Sequence, residues 1–341
     1  MNFKDLKAVI TSHLENEYSK FDVHYTNTNN SFTIDKYVKR IIRAYDKQPD
    51  QNLDDIILEV LNLNEYNIYK DFYGIKNNLS PLRYPGAKSK VLSKFVKYFK
   101  TPHIEYREPF VGGGSIFLGK HIVDKNILND KDYNVYAFLT TIKDYPDLLC
   151  EKILNTQPTI ELWLEKRFNS TQSTSDLDIA FDFLFFNRTN YSGIYSANPL
   201  GGIEQKSKYT IDCRWNAERL CSKIKKMSER LKSVSITNLD FEEIIKLPGE
   251  NVLLVIDPPY YKKGNSLYTS KMTHEDHLRL AETLKNTTHK YLLTIDDSYE
   301  TRKIYTYENT FINQESWKYT VHSKKNDNIG KELFISNFPI N

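Results

Sequence analysis

Residues 252–260 read Val-Leu-Leu-Val-Ile-Asp-Pro-Pro-Tyr, an apolar run followed by a carboxylate, two prolines and an aromatic ring. Five consecutive aliphatic residues predict a strand buried on both faces, as in a parallel sheet. Ligands of open α/β sheets bind outside the carboxyl ends of such strands, which is where Asp257, Pro258, Pro259 and Tyr260 fall. Each proline fixes φ and lacks an N–H donor. The tetrapeptide is therefore suited to accept hydrogens from an amino group beside a flat ring.

The flanking sequence predicts an alternation of strands and helices. A strand at 104–107 runs into a glycine-rich loop at 109–115, and a strand at 127–128 ends at Asp130 before a helix at 133–142. This order is typical of a nucleotide-binding βαβ unit. The remaining predicted elements are helices at 91–99, 216–231 and 274–284, strands at 234–237 and 291–295, and a C-terminal hairpin at 317–338.

The glycine-rich loop predicts a ligand site. Gly112, Gly113 and Gly114 allow the backbone to approach a ligand closely, but the loop matches neither the dinucleotide fingerprint nor a P-loop. Asp130 follows Gly112 by 18 residues, close to the ~20-residue offset at which an acidic side chain meets ribose hydroxyls. The pattern favours a ribose-bearing ligand without a bound phosphate, such as S-adenosylmethionine.

Three polar residues have alternative interpretations. Lys88 follows a Pro-Gly turn and is either a ligand contact or a solvated loop lysine. Asp240 either accepts from an adenine amino group or caps a helix that starts near Phe241, and capping is favoured for Asp240 in isolation. Asp257 has no His, Cys or second carboxylate nearby in sequence to complete a metal set, so we predict a metal-free role.

A chemical role for Asp257 follows from its neighbours. If its carboxylate and the Pro258 carbonyl both accept hydrogens from an NH2 group, the nitrogen lone pair is withdrawn from ring conjugation. Tyr260 can stack on the same ring. Direct displacement on a methyl sulfonium then becomes feasible.

Composition limits the class of protein. The 341 residues include 40% hydrophobic and 27% charged residues, with a net charge of +3, as is ordinary for soluble globular proteins. No aliphatic run approaches the ~20 residues of a membrane span, and the N-terminus lacks a signal-peptide apolar region. Cys150, Cys213 and Cys221 show no Cys-x-x-Cys spacing, which argues against a disulfide framework or a zinc knuckle. We therefore predict a cytosolic protein.

Residues 1–80 and 133–233 carry weaker signals. The sequence pattern predicts helices within residues 1–80. One predicted helix carries a basic stripe of Lys36, Lys39, Arg40 and Arg43. This stripe is either a DNA contact or, as we favour, a solvated face. The middle region mixes glycine, asparagine and aromatic residues at 187–202, which indicates a hairpin or loop system more than a core. Residues 81–341 hold 37 basic against 32 acidic residues, so the basic surplus lies with the motifs.

Three separated motifs carry a resemblance to a known family. Arg-Tyr-Pro-Gly-Ala-Lys at 83–88, Glu-Pro-Phe-Val-Gly-Gly-Gly-Ser at 108–115 and Asp-Pro-Pro-Tyr at 257–260 occur in this order. Together they resemble the Dam-type (D12 class, alpha group) site-specific DNA adenine-N6 methyltransferases. The similarity extends to 185–193 and 236–241 and covers about 81–341, so residues 1–80 lie outside it.

The resemblance implies a fold and a domain organisation. The fold class is α/β, with a Rossmann-like S-adenosylmethionine-dependent methyltransferase sheet, an inserted target-recognition region and a helical N-terminal extension. The extension is 1–80, the catalytic domain is 81–132 with 234–341, and the target-recognition, DNA-binding region is 133–233.

The resemblance also implies site residues. Tyr84 and Lys88 correspond to the motif that closes over the methionine part of the cofactor, and Asp130 corresponds to the ribose-binding acid. The catalytic residues are Asp257, Pro258, Pro259 and Tyr260. The full set for S-adenosylmethionine is Tyr84, Lys88, Pro109, Phe110, Gly112, Gly114, Ser115, Asp130, Asp240, Phe241 and Asp257. The candidate DNA contacts are Arg188, Lys206, Lys208 and Arg214 for phosphates and Asn190, Tyr191 and Ser192 for bases, although a surface role without DNA contact stays open for each.

The implied activity is methyl transfer from S-adenosylmethionine to the exocyclic N6 of adenine in double-stranded DNA, with S-adenosylhomocysteine as product and no metal. Base flipping costs a few kcal/mol, and stacking on Tyr260 returns roughly 1–3 kcal/mol. The alternatives are a cytosine-N4 methyltransferase, in which Ser more often occupies position 257, and a catalytically silent DNA-binding module. A bacterial or phage-encoded cytoplasmic enzyme on nucleoid DNA is implied, with no membrane partner, and a cognate restriction endonuclease is left open.

Overall fold

The computed structural model describes residues 3–18, 30–48, 50–75, 79–83, 86–169, 175–261, 272–318 and 329–340. These ranges contain a mixed seven-stranded sheet in the order β3-β2-β1-β4-β5-β7-β6. The strands are β1 (Glu105–Glu108), β2 (Lys125–Asn129), β3 (Val234–Thr237), β4 (Val252–Ile256), β5 (Lys290–Asp296), β6 (Phe311–Lys318) and β7 (Ile329–Ser336). Neighbours among β1 to β5 are parallel, and β7 is antiparallel to both β5 and β6.

The β4 strand lies in the middle of the sheet, between β1 and β5. All five of its side chains are buried, and each contributes about 1.5–3 kcal/mol of hydrophobic stabilisation. The chain leaves β1 for β2 and β3 on one side and returns to β4 on the other, which makes the β1/β4 boundary a topological switch point. The predicted strand and the Rossmann-like α/β fold are thereby confirmed.

Helices form the N-terminal part of the chain and occur in the connections between successive strands from β1 to β6. They are α1 (Phe3–Tyr18), α2 (Asn30–Tyr45), α3 (Leu53–Leu63), α4 (Glu65–Phe72), α5 (Val96–Phe99), α6 (Ser115–Leu118), α7 (Tyr133–Asp144), α8 (Pro146–Leu154), α9 (Ile160–Asn169), α10 (Asp176–Thr189), α11 (Ala217–Leu231), α12 (Phe241–Lys246), α13 (His274–Asn286) and α14 (Tyr299–Tyr305). The prediction of one helix over 91–99 is wrong in length, because α5 spans only Val96–Phe99. Val91, Leu92, Phe95 and Phe99 are all buried, and the chain bends through 3-10 turns before the four residues of α5 to bury more than one helical face.

The N-terminal helices pack against the sheet-bearing part of the chain. Tyr69 on α4 has its hydroxyl 2.6 Å from Nδ1 of His121, and the ring of Tyr73 stacks on His121 at 4.5 Å between centroids. On α2, Lys39 and Arg43 are exposed, while Lys36 lies 3.6 Å from Asp71. The basic stripe is therefore largely a solvated face.

The region 133–233 is more helical than its composition indicates. Helices α7, α10 and α11 share a hydrophobic core with the sheet, in which Phe185 and Phe186 are fully buried. The hairpin or loop prediction is thus wrong for the end of α10 and fits only 190–216, where Asn190 and Pro199 form an isolated antiparallel bridge. The aromatic residues that misled the prediction pack between helices. The division into 1–80, 81–132 with 234–341, and 133–233 stays a prediction. Within 133–233, residues 190–216 form the long connection between α10 and α11.

No helix in the described ranges has both the length and the apolar character required to cross a membrane.

Candidate active site

A cavity opens at the carboxyl edge of the sheet, at the switch point between β1 and β4. Residues from the glycine loop, the end of β2, the start of α12, the end of β4 and α13 line it together. The predicted residues on its wall are Pro109, Phe110, Gly112, Ser115, Asp130, Phe241, Asp257 and Pro259. Tyr84 lies outside the described residues.

Asp257, directly after β4, is held by a buried lysine. The Nζ of Lys88 donates to Oδ1 and Oδ2 of Asp257 at 2.7 and 2.8 Å, and the Thr294 hydroxyl donates to Oδ1 at 2.7 Å. The backbone N–H of Lys88 donates to Ser115 Oγ at 3.0 Å, which fixes the lysine beside the glycine loop. The interpretation of Lys88 as a solvated loop lysine is therefore wrong, since its side chain is only 3% exposed.

The charge of Lys88 depends on its carboxylate neighbours. Burial disfavours the ammonium form, but Asp257 and Glu332 outweigh it, and the pKa of Lys88 is raised. A pair this deeply buried is costly to break, because removing one partner leaves an uncompensated charge. Lys88 thus remains protonated and neutralises Asp257 within the site.

Tyr260 is fixed by a second buried carboxylate. Its hydroxyl accepts from Lys88 Nζ at 3.1 Å and donates to Oε1 of Glu332. Glu332 lies on β7, paired with Asp296 of β5, and is fully buried. Together these contacts hold the Tyr260 ring at the end of the tetrapeptide. Pro258, within the tetrapeptide, is buried.

The glycine loop closes around Asp130. Gly112 and Gly114 adopt φ of +47° and +70°, a region that residues with a Cβ rarely occupy. Asp130 accepts from the N–H of Gly112 at 2.9 Å and from that of Asp132 at 3.0 Å. Burial outweighs these hydrogen bonds and raises the pKa of Asp130 to about 7. Gly114 precedes α6 and shapes the loop.

Glu108, the last residue of β1, contributes a neutral acid to the cavity wall. Burial raises its pKa to about 8, and the charge of Asp257 acts in the same direction. The Tyr106 hydroxyl donates to Glu108 Oε2 at 2.9 Å. At neutral pH, Glu108 therefore adds no second negative charge beside Asp257.

Two aromatic rings form the opposite end of the cavity. Phe110 and Phe241 lie 5.5 Å apart with a 30° interplanar angle, and the guanidinium of Arg279 lies 4.3 Å from the Phe241 ring centre. Asp240 caps α12 in a capping box and accepts from Arg279 at 2.8 Å. Burial alone would raise the pKa of Asp240, but Arg279, the Glu242 N–H and Lys131 lower it to about 2. Asp240 is thus observed as a helix cap. At this end of the cavity, Phe241 and Arg279 form part of the wall.

The candidate base-reading residues are divided between surface and interior. Asn190 is fully buried. Its Oδ1 accepts from Trp163 Nε1 at 2.7 Å, and its Nδ2 donates to the carbonyl of Tyr195 at 2.8 Å. Asn190 therefore faces the interior and not a base edge. Tyr191 is 55% exposed, and Ser192 follows in a left-handed conformation with φ of 56°.

The candidate phosphate contacts form two groups. Lys206, Lys208 and Arg214 are exposed, and Lys206 pairs with Glu204 at 2.7 Å. Arg188 is half-buried, and its Nε donates to the carbonyl of Arg214 at 3.2 Å. Arg188 at the end of α10 therefore contacts Arg214, which lies in the same loop as the exposed lysines.

The sequence patterns missed Glu108, Arg279, Thr294 and Glu332 as individual site residues. Glu108 directly follows the predicted strand at 104–107 and begins the motif at 108–115, and this position was a usable signal. Thr294 and Glu332 lie within strands. The apolar residues around them predict a buried strand, but they do not indicate which polar side chain contacts the site. Among the described residues, no group of three or more His, Cys, Asp or Glu side chains has the arrangement of a metal site.

Known proteins resemble this chain over its sheet-bearing part. Residues 84–321 match the family described as D12 class N6 adenine-specific DNA methyltransferase. The type II methyltransferase M1.LlaDCHI of Lactococcus lactis subsp. cremoris is 25% identical over 227 residues, which are 62% of this chain and 78% of that protein. The type II methyltransferase M.MjaIII of Methanocaldococcus jannaschii is 27% identical over 59% of this chain and 77% of its own.

A third relative is the DNA adenine methylase of Vibrio cholerae serotype O1, which is 21% identical over 251 residues, covering 68% of this chain and 86% of the relative. The resemblance predicted from the motifs is confirmed, and the cytosine-N4 alternative is not favoured. Because the family match spans well over half of the sequence, the chain belongs to the D12 class N6 adenine-specific DNA methyltransferases.

Proposed function

We propose that this protein transfers a methyl group from S-adenosylmethionine to the N6 amino group of an adenine extruded from double-stranded DNA, at a specific short site. The observation that carries the proposal is the Asp257 carboxylate at the cavity wall, held by Lys88 and Thr294. The metal-free character of the reaction is part of the proposal.

The hydrogen-bonding capacity of Asp257 supports its proposed role. An ionised carboxylate offers about four lone-pair sites. Lys88 and Thr294 occupy two on Oδ1, and Lys88 occupies one on Oδ2. One site on Oδ2 therefore remains to accept a hydrogen from the adenine amino group. The Pro258 carbonyl would accept the second hydrogen, which leaves the nitrogen lone pair available for displacement.

The cavity suits the proposed cofactor. S-adenosylmethionine, when bound, supplies an electrophilic methyl group on a sulfonium. Asp130 would accept from ribose hydroxyls, the glycine loop would allow close approach, and Phe110 with Phe241 would enclose the adenine ring. Neutral Glu108 keeps the cavity from carrying excess negative charge before the ligand enters.

The target base must leave the duplex to reach Asp257. Flipping costs a few kcal/mol, and stacking on an aromatic ring such as Tyr260 returns about 1–3 kcal/mol. Tyr260 is suited to this because Lys88 and Glu332 fix its hydroxyl before any base arrives. A ring already ordered loses less conformational entropy on binding.

Identification of the methylated nucleoside tests the proposal. The protein would be incubated with duplex DNA and S-adenosylmethionine labelled in the methyl group, and the DNA would be digested to nucleosides. We expect label in N6-methyl-2′-deoxyadenosine alone. Label in N4-methylcytosine, or no label in DNA, would overturn the proposal. Sequencing of the methylated positions would define the recognition site.

The proposed setting is the DNA of a bacterial or phage-infected cell. Two relatives are named type II methyltransferases, which supports restriction–modification as one context and a cognate endonuclease as one partner. Co-purification of an endonuclease that cleaves only the unmethylated form of the same site would test this part.

A further inference from the structure

A basic cleft lies outside the cofactor cavity. A space of about 370 Å³ between residues 79–83, the end of α10 and the start of α11 is lined by Arg83, Arg188, Arg214, Arg219 and Lys223. Among the residues that the structure describes, no Asp or Glu lines this space. Five cationic side chains therefore converge on one space from three separate segments.

The four arginines carry uncompensated charge. In the described ranges, no carboxylate forms an ion pair within 4.0 Å of any of them. Burial lowers the pKa of Arg188 to about 10, and Arg83, Arg214 and Arg219 add to that effect. Burial also lowers the pKa of Lys223, with Arg188 and Arg219 as neighbours. Like charges held this closely favour binding of an anion, which relieves their repulsion.

The cleft includes the first residue of the motif that contains Lys88. Asn187 Oδ1 accepts from the N–H of Arg83 at 2.7 Å, and Asn187 Nδ2 donates to the Arg83 carbonyl at 3.3 Å. Arg83 precedes Lys88 by five residues in the motif that reaches Asp257. On the other side, Asn216 caps α11 by accepting from the N–H of Arg219 at 2.8 Å. An anion in the cleft would thus lie beside Arg83, at the start of the motif that contains Lys88.

We propose that this cleft binds phosphodiester groups of the DNA backbone and thereby sets the position of the duplex over Asp257. This inference rests on the proposed function and adds Arg83, Arg219 and Lys223 to the candidate contacts. Guanidinium groups match phosphate oxygens with two parallel hydrogen bonds. A cleft lined by several of them selects phosphate over a lone carboxylate.

The test is the salt dependence of DNA binding by cleft variants. Arg83→Gln, Arg219→Gln and the double variant would be compared with the parent protein by fluorescence anisotropy on one duplex between 50 and 200 mM salt. Each lost phosphate contact should reduce the slope of log K against log salt by about 0.9. Lys225→Gln is the matched control, because Lys225 is exposed on the same helix and pairs with Asp147; its slope should not change.

A purely structural role for the arginines would give a different pattern. Neutralising them relieves repulsion, so we expect the thermal midpoint of the double variant to equal or exceed that of the parent. A parent-like slope in the double variant, or a lowered thermal midpoint that accounts for its weaker binding, would overturn the proposal. Methyl transfer by the parent is assayed in parallel. If the parent methylates adenine but the double variant keeps the parent's salt slope, only the proposal for the cleft is refuted. If the double variant has a reduced slope but the parent transfers no methyl group, the cleft is supported and the proposed function is refuted.

Discussion

The ammonium group of Lys88 lies 2.7 Å from Oδ1 and 2.8 Å from Oδ2 of Asp257, and both residues belong to motifs separated by 169 positions. This contact joins the turn at 86–88 to the end of β4. It also neutralises the carboxylate and leaves one acceptor site on Oδ2.

Replacing Lys88 with methionine should destabilise the protein strongly. The variant leaves Asp257 and Glu332 without their shared buried cation, and breaking a buried pair typically costs about 3–5 kcal/mol. Urea unfolding of Lys88→Met measures the loss, with Lys90→Met as control because Lys90 is exposed on the same turn. Equal stability of the two variants would contradict the account of Lys88.

Glu332 should act as a positioning residue for Tyr260. Glu332→Gln keeps an acceptor for the Tyr260 hydroxyl but loses the charge that lies 3.8 Å from Lys88, so kcat should fall only several-fold. Glu332→Ala also removes the acceptor, and an unsatisfied buried hydroxyl costs about 1–3 kcal/mol. Its kcat should fall further while KM for DNA changes little. Steady-state kinetics decide the point, and equal losses in the two variants would show that the acceptor is irrelevant.

The contribution of Glu108 to the stability of the protein should decline as pH rises between about 4.5 and 8. Glu108 has a pKa of about 8 in the folded protein against an ordinary value of 4.5, so the native state holds a proton that the unfolded state releases in this window. Each such group lowers the free energy of unfolding by up to about 1.4 kcal/mol per pH unit. Asp130, with a pKa of about 7, acts in the same direction.

Glu108→Gln removes the contribution of Glu108 to this slope, because the amide is neutral at every pH. Burial lowers the pKa values of His103, His121 and His277, which oppose this trend below their ordinary pKa of 6.5. Between about pH 6.5 and pH 8, the thermal midpoint should therefore fall less steeply in the variant than in the parent. Glu218→Gln, at an exposed position on α11, serves as the control and should retain the parent profile. A parent-like profile in Glu108→Gln would refute the assignment of a neutral Glu108.

Asp130→Ala should weaken cofactor binding more than DNA binding. The variant loses both the acceptor for ribose hydroxyls and the brace on the Gly112 N–H, and hydrogen bonds to a charged group contribute about 1.5–3 kcal/mol each. Calorimetry should show S-adenosylhomocysteine binding at least tenfold weaker, with duplex affinity within about twofold. In the parent, cofactor affinity should fall as pH drops through about 7, since protonated Asp130 is a poorer acceptor. Equal losses of cofactor and DNA binding would count against the ribose assignment.

The sequence predicted those parts of the site that depend on local patterns. The apolar run at 252–256 and the glycines at 112–114 determine a buried strand and a close-approach loop by their own chemistry. Contacts across the fold had no such signal. Asp240 could be read as a ligand or as a cap, and the choice depends on Arg279, which lies 39 positions later. Asn190 resembled a surface base reader because nothing in its neighbours reveals that Trp163 covers it.

The most direct test of the central claim is single-turnover transfer of labelled methyl groups from S-adenosylmethionine to adenine in duplex DNA by the parent, Asp257→Asn and Asp257→Ala. Asp257→Asn keeps the shape of the side chain, and cofactor binding by each variant confirms that it is folded. The account predicts label in adenine for the parent and a loss of rate of at least a hundredfold in both variants, about 2.7 kcal/mol of transition-state stabilisation. Undiminished transfer by a folded Asp257 variant would contradict it.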